Sequence, residues 1–308
     1  MRDILIIGSL NMDTVVRAQH IPVTGETIIG SFVANIPGGK GANQACAAGR
    51  LGSSAAMLGL VGKDEFGDTL ISSLRDSHVD TSLVGRSEAR TGQALICVND
   101  QGNNAIIVLP GANGECGVDR IRANEAEIAG SRFLMLQMEI PEDAVMEAIR
   151  LGKAHGCGII LNPAPAQHPL PPEILPLIDY LTPNETELSV LTGMPANDPD
   201  EAAAAAKTLI SRGVKAVLAT LGSSGALYVT ADTVRLFPAE KVQPVDTTAA
   251  GDTFNAAFAV RLAEGAPVDE AVRFANAAAG ISVTRHGAQP SIPSREEVDR
   301  FRASGSIA

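Results

Sequence analysis

Six short apolar runs recur along the chain, most of them followed by a longer segment with helical spacing, and this rhythm limits the possible folds more than any other feature. The runs are Ile4–Gly8, Ala55–Val61, Arg132–Gln137, Gly158–Asn162, Tyr180–Thr182 and Ala216–Leu221. Helical patterns occupy Ala42–Arg50, Phe66–Ser77, Pro141–His155, Glu201–Arg212, Gly251–Glu264 and Val268–Thr284. Short apolar strands alternating with helices imply an α/β fold, in which a mostly parallel, Rossmann-like central sheet carries helices on both faces. The second half is rich in Ala at 199–213 and 251–284, which lets helices approach the sheet closely.

Two stretches break the rhythm. Residues 14–36 alternate without helical spacing, and 91–109 does the same around the turn-like Asn99–Asn104. Both read as antiparallel strands that pair into a small β lid over the carboxyl edge of the main sheet, where α/β proteins bind ligands. The expected division is therefore an α/β domain made of residues 1–13, 37–90 and 110–308, with a lid made of 14–36 and 91–109. The exposed edges and apolar alternation of the lid predict a homodimer in which two lids cover one another. Only the tail after Phe301 reads as loose.

At 308 residues the chain can bury a full core. With 24 basic and 35 acidic residues its formal charge is −11, and no local basic patch offsets it. Nucleic acid and anionic membranes are therefore excluded as partners, and any phosphate ligand must be held by local donors, backbone amides and a metal ion. Cys46, Cys97, Cys116 and Cys157 show no metal-ligand or redox spacing and read as reduced thiols of a cytoplasmic protein. The run Ile4–Ile7 is too short for a secretory signal, and nothing approaches membrane-spanning length.

Three segments carry chemistry. The late turn Asp246-Thr-Thr-Ala-Ala-Gly-Asp-Thr-Phe-Asn255 places small residues and one carboxylate, Asp252, at a helix start. Exposed amides there would attract an anion, and the acid could take a proton from an attacking hydroxyl; an ordinary helix N-terminus with an Asp cap accounts for it equally well. The early run Pro37-Gly-Gly-Lys-Gly-Ala-Asn-Gln44 opens a helix but is no Walker A loop, because Gly41 follows the Lys and the four-residue spacer is missing. Midway, Asn184-x-x-Glu187 suits either Mg²⁺ or a helix capping box. Asn11 and Asp13 follow the first strand, and Thr220-Leu-Gly-Ser-Ser-Gly225 ends another with glycines and hydroxyls. The first strand lacks the GxGxxG of a dinucleotide enzyme.

Taken together, Gly38-Gly-Lys-Gly-Ala-Asn43, Asn184-x-x-Glu187 and Asp246-Thr-x-Ala-Ala-Gly-Asp252 resemble the ribokinase-like sugar kinases of the PfkB family. Supporting segments are Gly8-Ser-Leu-Asn-Met-Asp13, Leu161-Asn-Pro-Ala-Pro165 and Thr284-Arg-His-Gly-Ala-Gln-Pro290, so the resemblance spans essentially the whole chain. Ala249 departs from the Gly that many members carry.

The resemblance implies an ATP-dependent kinase that phosphorylates the 5-hydroxyl of D-ribose or a related acceptor. Asp252 would be the general base, and the amides of Ala249, Ala250 and Gly251 would stabilise the transferring group. The sugar would be held by Asn11, Asp13, Gly39, Lys40, Asn43 and Glu139. The nucleotide would lie against Asn184, Thr220, Gly222, Gly225, Gly251 and Asn276, with Glu187 organising Mg²⁺. A monovalent cation, K⁺, would sit beside the turn on Asp246, Thr248, Ser282, Arg285, Gly287 and Ser291, several of them through carbonyls. With 3% aromatics, no Trp, and Phe32 alone in the lid segments, the chain offers little platform for a nucleobase, and a small polyol fits better.

Overall fold

The structure is a computed structural model and describes residues 2–305. Among these residues the strands are β1 (Arg2–Ile7), β2 (Asn11–Arg17), β3 (Phe32–Gly38), β4 (Ala55–Gly62), β5 (Val84–Ser87), β6 (Gly92–Val98), β7 (Asn104–Leu109), β8 (Ser131–Leu136), β9 (Gly158–Leu161), β10 (Tyr180–Leu181), β11 (Ala216–Thr220), β12 (Ala226–Val229) and β13 (Val234–Phe237). The helices are α1 (Lys40–Arg50), α2 (Glu65–Asp76), α3 (Val118–Ala123), α4 (Glu125–Ala129), α5 (Glu142–Ala154), α6 (Glu185–Thr192), α7 (Pro199–Ser211), α8 (Ala250–Ala263), α9 (Val268–Ser282) and α10 (Arg295–Ser304).

Nine strands form one sheet in the order β13-β12-β11-β10-β9-β8-β1-β4-β5. Pairings from β11 through β1 to β5 are parallel, and β12 and β13 add an antiparallel edge. Central strand β1 shows why the layers form. Its Ile4 and Ile6 join a core with residues of α1, α2, α8, α9 and α10, while Leu5 and Ile7 point into a second core with residues of α3 to α7. A strand buried on both faces needs such a continuous apolar run. Helix α8 is buried along nearly its whole length and packs against α1, α9 and β1, a position that its Ala and Gly residues make sterically possible.

The six expected strands and six expected helices are all present, with ends within two residues of the expected ones. Sequence periodicity missed β5, β12 and β13, which are four residues each and lie at the sheet margins. It also missed α10, so the expectation of a loose tail after Phe301 fails through Ser304. A capping box between Ser294 and Glu297 starts this helix and left-handed Gly305 ends it; residues 306–308 lie outside the described residues.

A second sheet has the order β3-β2-β6-β7. Its outer pairs are antiparallel, but β2 and β6 run parallel at its centre, from Asn11 opposite Gly92 to Arg17 opposite Val98. That follows from connectivity, since each hairpin leaves the main sheet and returns to it independently. The strands also reach further inward than the alternation indicated, to Asn11 and Gly38. Residues 26–31, expected to be extended, lie outside strand β3: the chain bends at Ser31, whose amide donates to the Arg17 carbonyl at 2.8 Å.

Candidate active site

The site forms where the carboxyl ends of the parallel strands meet the inner ends of the small sheet. Segments leaving β1, β8, β9, β10 and β11 supply Ser9, Glu139, Asn162, Asn184 and Thr220, and α1 and α8 supply Lys40, Asn43, Gln44 and Asp252. This is the usual ligand edge of a doubly wound sheet. A cleft of about 450 Å³ lies elsewhere, at the opposite ends of the strands. There Lys153 and Lys215 both pair with Asp179, each at 2.6 Å, which satisfies the charged groups structurally.

Asp252 is only 6% exposed and sits in the first turn of α8. Its two oxygens accept from Asn43 Nδ2 at 2.9 Å and Gln44 Nε2 at 3.1 Å, both from α1. Burial raises its pKa, while Lys40 and the two amides oppose that rise. Glu139 accepts from the Ser9 hydroxyl at 2.5 Å and from the Lys40 amide at 3.1 Å. Burial alone would lower the Lys40 pKa, but Asp252, Glu139, Glu187 and Asp13 outweigh it and hold the ammonium above its ordinary value.

Glycine makes this crowding possible. Gly39 caps α1 with φ +87°, and a Cβ there would come within 2.7 Å of the Asn11 amide nitrogen. Gly38 lies against Asp13, whose carboxylate would sit 2.2 Å from an added Cβ. Asp13 is consequently desolvated beside Glu139 and Asp252, and its pKa is raised to about 7 despite Lys40.

The turn before α8 differs in detail from a set of three equal amides. Ala249 adopts φ +59°, a left-handed conformation costing an L-residue roughly 1–2 kcal/mol. The Ala250 amide donates to the Thr247 carbonyl at 3.2 Å. Among the described residues, the amides of Ala249, Gly251 and Asp252 donate to no protein acceptor. The helix start therefore offers Ala249, Gly251 and Asp252, rather than Ala249, Ala250 and Gly251, as free donors.

Asn184 and Glu187 form a complete capping box for α6: the Glu187 amide donates to Asn184 Oδ1 at 2.8 Å, and the Asn184 amide to Glu187 Oε2 at 2.9 Å. Burial raises the Glu187 pKa. Thr220 bridges to Asn184 across the sheet, and Gly222 and Gly225 flank the following turn with positive φ. Asn276 explains its place in an Ala-rich helix by donating to the carbonyls of Phe237 and Pro238 at 3.2 and 3.0 Å. A Cβ on Gly225 would meet the Phe237 carbonyl at 2.0 Å, so Gly225 and Asn276 approach the same strand end.

Of the residues expected at a monovalent cation, hydrogen bonds join Asp246, Thr248 and Gly287. Asp246 accepts from the Thr248 amide and hydroxyl and from the Gly287 amide; these donors outweigh burial and keep its carboxyl below the usual range. The amides of Val245 and Asp246 donate to the Val283 carbonyl, which ties this loop to the end of α9. The Arg285 side chain turns away to Glu297, and the Ser282 and Ser291 hydroxyls bond carbonyls three residues back. The side chains of these three residues are thus engaged within the protein, and the Ser282 carbonyl accepts from the Arg285 amide at 3.1 Å. No group of three or more His, Cys, Asp or Glu among the described residues could hold a metal ion.

Sequence reasoning missed several supporting residues. Asn113, 1% exposed in the turn after β7, accepts from the Leu10 amide at 2.9 Å and donates to Asn11 Oδ1 at 2.7 Å. Asn11 is thereby left with its NH₂ group free to donate. Ser9, Gln44, Gln137 and Asn162 likewise support the site. Gln44 and Asn162 lie inside the motifs Pro37–Gln44 and Leu161–Pro165; Gln137 and Asn113 give no local signal beyond being polar at strand or turn ends.

The raised Asp13 pKa has a thermodynamic consequence. An acid whose folded pKa lies above its unfolded value costs nothing below about pH 4, costs progressively more as pH rises, and reaches its full cost above about 7. Asp13→Asn is expected to stabilise the unliganded protein by a few kcal/mol at pH 8, with the gain vanishing near pH 3.5. Urea unfolding at the two pH values checks this; an equal effect at both would contradict it.

Comparison with known proteins identifies the family. The model of the pfkB family carbohydrate kinases matches residues 1–295. The chain is similar to the ribokinase of Bacillus subtilis, at 42% identity over 98% of this chain and 99% of that one. It is also similar to the deoxyribokinase of Salmonella typhi, at 37% identity over 97% and 98%. The solved structure of Arabidopsis thaliana ribokinase complexed with ribose and ATP matches with a TM-score of 0.90 and 35% identity, over 97% of this chain and 98% of that one. A family match of that length, with relatives of this identity aligned from end to end, shows that the chain belongs to the pfkB family of carbohydrate kinases.

Proposed function

We propose that this protein transfers the γ-phosphoryl group of ATP to the 5-hydroxyl of D-ribose, giving ribose 5-phosphate and ADP. The observation that carries the reading is the buried Asp252 carboxylate, anchored by Asn43 and Gln44 one step from free amides at the start of α8. Asp252 accepts the proton of the 5-hydroxyl as its oxygen attacks phosphorus, and the bond from phosphorus to the β,γ-bridging oxygen breaks to release ADP. The amides of Ala249, Gly251 and Asp252 stabilise charge on the moving group. Asn11, Asp13, Gly39, Lys40, Asn43 and Glu139 hold the sugar, with Asn11 donating to a hydroxyl oxygen and Asp13 accepting from a hydroxyl. Asn184, Thr220, Gly222, Gly225 and Asn276 line the nucleotide.

Asp13, Glu139, Glu187 and Asp252 surround a single Lys40, so a polyphosphate enters an acidic site. That setting fits Mg²⁺, which arrives with ATP, keeps several waters and requires few protein ligands; Glu187 would orient those waters. When bound, Mg²⁺ neutralises phosphate charge. The loop built by Asp246, Thr248 and Gly287, with the carbonyls of Ser282, Arg285 and Ser291, fits a K⁺ ion, which would steady the turn before α8.

A coupled ADP assay across pentoses tests the acceptor. D-Ribose is expected to exceed 2-deoxyribose in kcat/KM, because a site built to bond a hydroxyl penalises its absence. The deoxyribokinase relative favours the alternative, and equal or reversed specificity constants would support it. In the same assay, replacing K⁺ by tetramethylammonium should lower turnover sharply. Asp252→Asn should lose at least about 10²-fold in kcat with ATP binding retained; near-normal turnover would remove Asp252 from the mechanism.

The small sheet (residues 14–36 and 91–109 with their inner strand ends) acts in this reading as a lid and as the contact between two copies. Phe32, Val33, Ile106, Ile107 and Val108 are each more than half exposed on its two edge strands. Such edges are seldom left bare. Sedimentation at micromolar concentration should find a dimer that Ile107→Lys dissociates, and a monomeric wild-type protein would contradict the assembly.

A further inference from the structure

Beneath the site, a line of buried amide side chains crosses the carboxyl ends of the strands. Gln137 Nε2, after β8, donates to Gln44 Oε1 at 2.6 Å. Gln44 Nε2 donates to Asp252 Oδ1 at 3.1 Å and makes a longer contact of 3.4 Å to Asn162 Oδ1. Asn162 Nδ2 donates to the Thr182 carbonyl at 2.9 Å. Gln44 and Gln137 are fully buried and Asn162 is 8% exposed.

The direction of this chain is not arbitrary. A carboxylate and a backbone carbonyl can only accept, so Asp252 and Thr182 fix which end of each amide points where. Asn162 must donate to Thr182, which leaves its oxygen to accept; Gln44 must then spend both N–H groups on Asp252 and Asn162, and its oxygen is left for Gln137. We infer that Gln44 is a positioning residue: locked from both sides, it holds the Asp252 carboxylate in place and sets how tightly that carboxylate binds a proton. Its catalytic meaning rests on the kinase reading above, whereas its effect on Asp252 does not.

The electrostatic surroundings show what Gln44 opposes. Charged groups facing Asp252 are Lys40 from α1, Glu139 from the segment after β8, Asp13 from β2 and Glu187 from α6. Three acids and burial push the Asp252 proton affinity up. One cation and two amide donors push it down. Asn43 also faces the sugar side, where its Oδ1 finds no protein partner; Gln44 is the donor whose only task is internal. Without it, the base would hold its proton to higher pH and fewer molecules would be ready to accept one from substrate.

The test is direct titration of the Asp252 carboxyl by ¹³C NMR in protein labelled at the Asp carboxyl carbon, with the resonance assigned by its loss in Asp252→Asn. Gln44→Met keeps the volume but removes the donor, and is expected to raise the Asp252 midpoint by about one pH unit, as loss of one hydrogen bond to a charged group implies. Should that variant fail to fold, Gln44→Glu decides. It preserves shape and the acceptor for Gln137, and the two carboxyls then share a proton, so the later of their ionisations must lie above the wild-type midpoint. An unchanged midpoint in whichever variant folds overturns the inference. The kinase reading is judged separately, by turnover of Asp252→Asn.

Discussion

The burial of one carboxylate, Asp252, is the constraint on which the rest of the structure depends. An isolated ionised acid in a protein interior is expensive unless donors meet it. Here α1 supplies two donors in consecutive residues, Asn43 and Gln44, and α8 supplies the acid in its first turn. These bonds require the two helices to lie side by side against β1, and the small residues of both make that distance accessible. Packing and chemistry are thus the same requirement seen from two sides.

The second consequence is charge. Four acids around Lys40 make a poor anion site on Coulombic grounds alone, and the protein as a whole is acidic. In the proposed reaction, phosphate recognition would therefore fall to unpaired backbone amides, which carry no countercharge that would have to be buried, and to the Mg²⁺ that comes with the nucleotide. The left-handed Ala249 belongs to this solution, since it bends the chain so that amides at the start of α8 stay free of internal partners.

Much of this was legible in the sequence where a physical period or a strained turn leaves a mark. Apolar runs located the main strands because burial on both faces demands them, and Gly38, Gly39 and Asp252 stood out as helix starts, where an ordinary turn or cap accounted for the same residues equally well. Helix α10 was not legible: its signal is a capping box and a terminal Gly, and its buried residues Val298 and Phe301 are too few to set a period. The central parallel pairing of β2 with β6 was hidden because register between distant hairpins is a tertiary choice. Roles of Asn113, Gln44 and Gln137 depend on contacts about a hundred residues away, which no local pattern encodes.

In the proposed reaction Asp252 faces a primary sugar alcohol when phosphoryl transfer occurs. Proton-coupled ³¹P NMR of the product formed from D-ribose and ATP reads this directly, because phosphorus bonded through oxygen to a CH₂ group is split into a triplet by its two protons. The expected result is a new phosphomonoester signal split into a triplet. A doublet, which marks phosphate on a ring CH–OH, or the absence of any sugar phosphate, would contradict it.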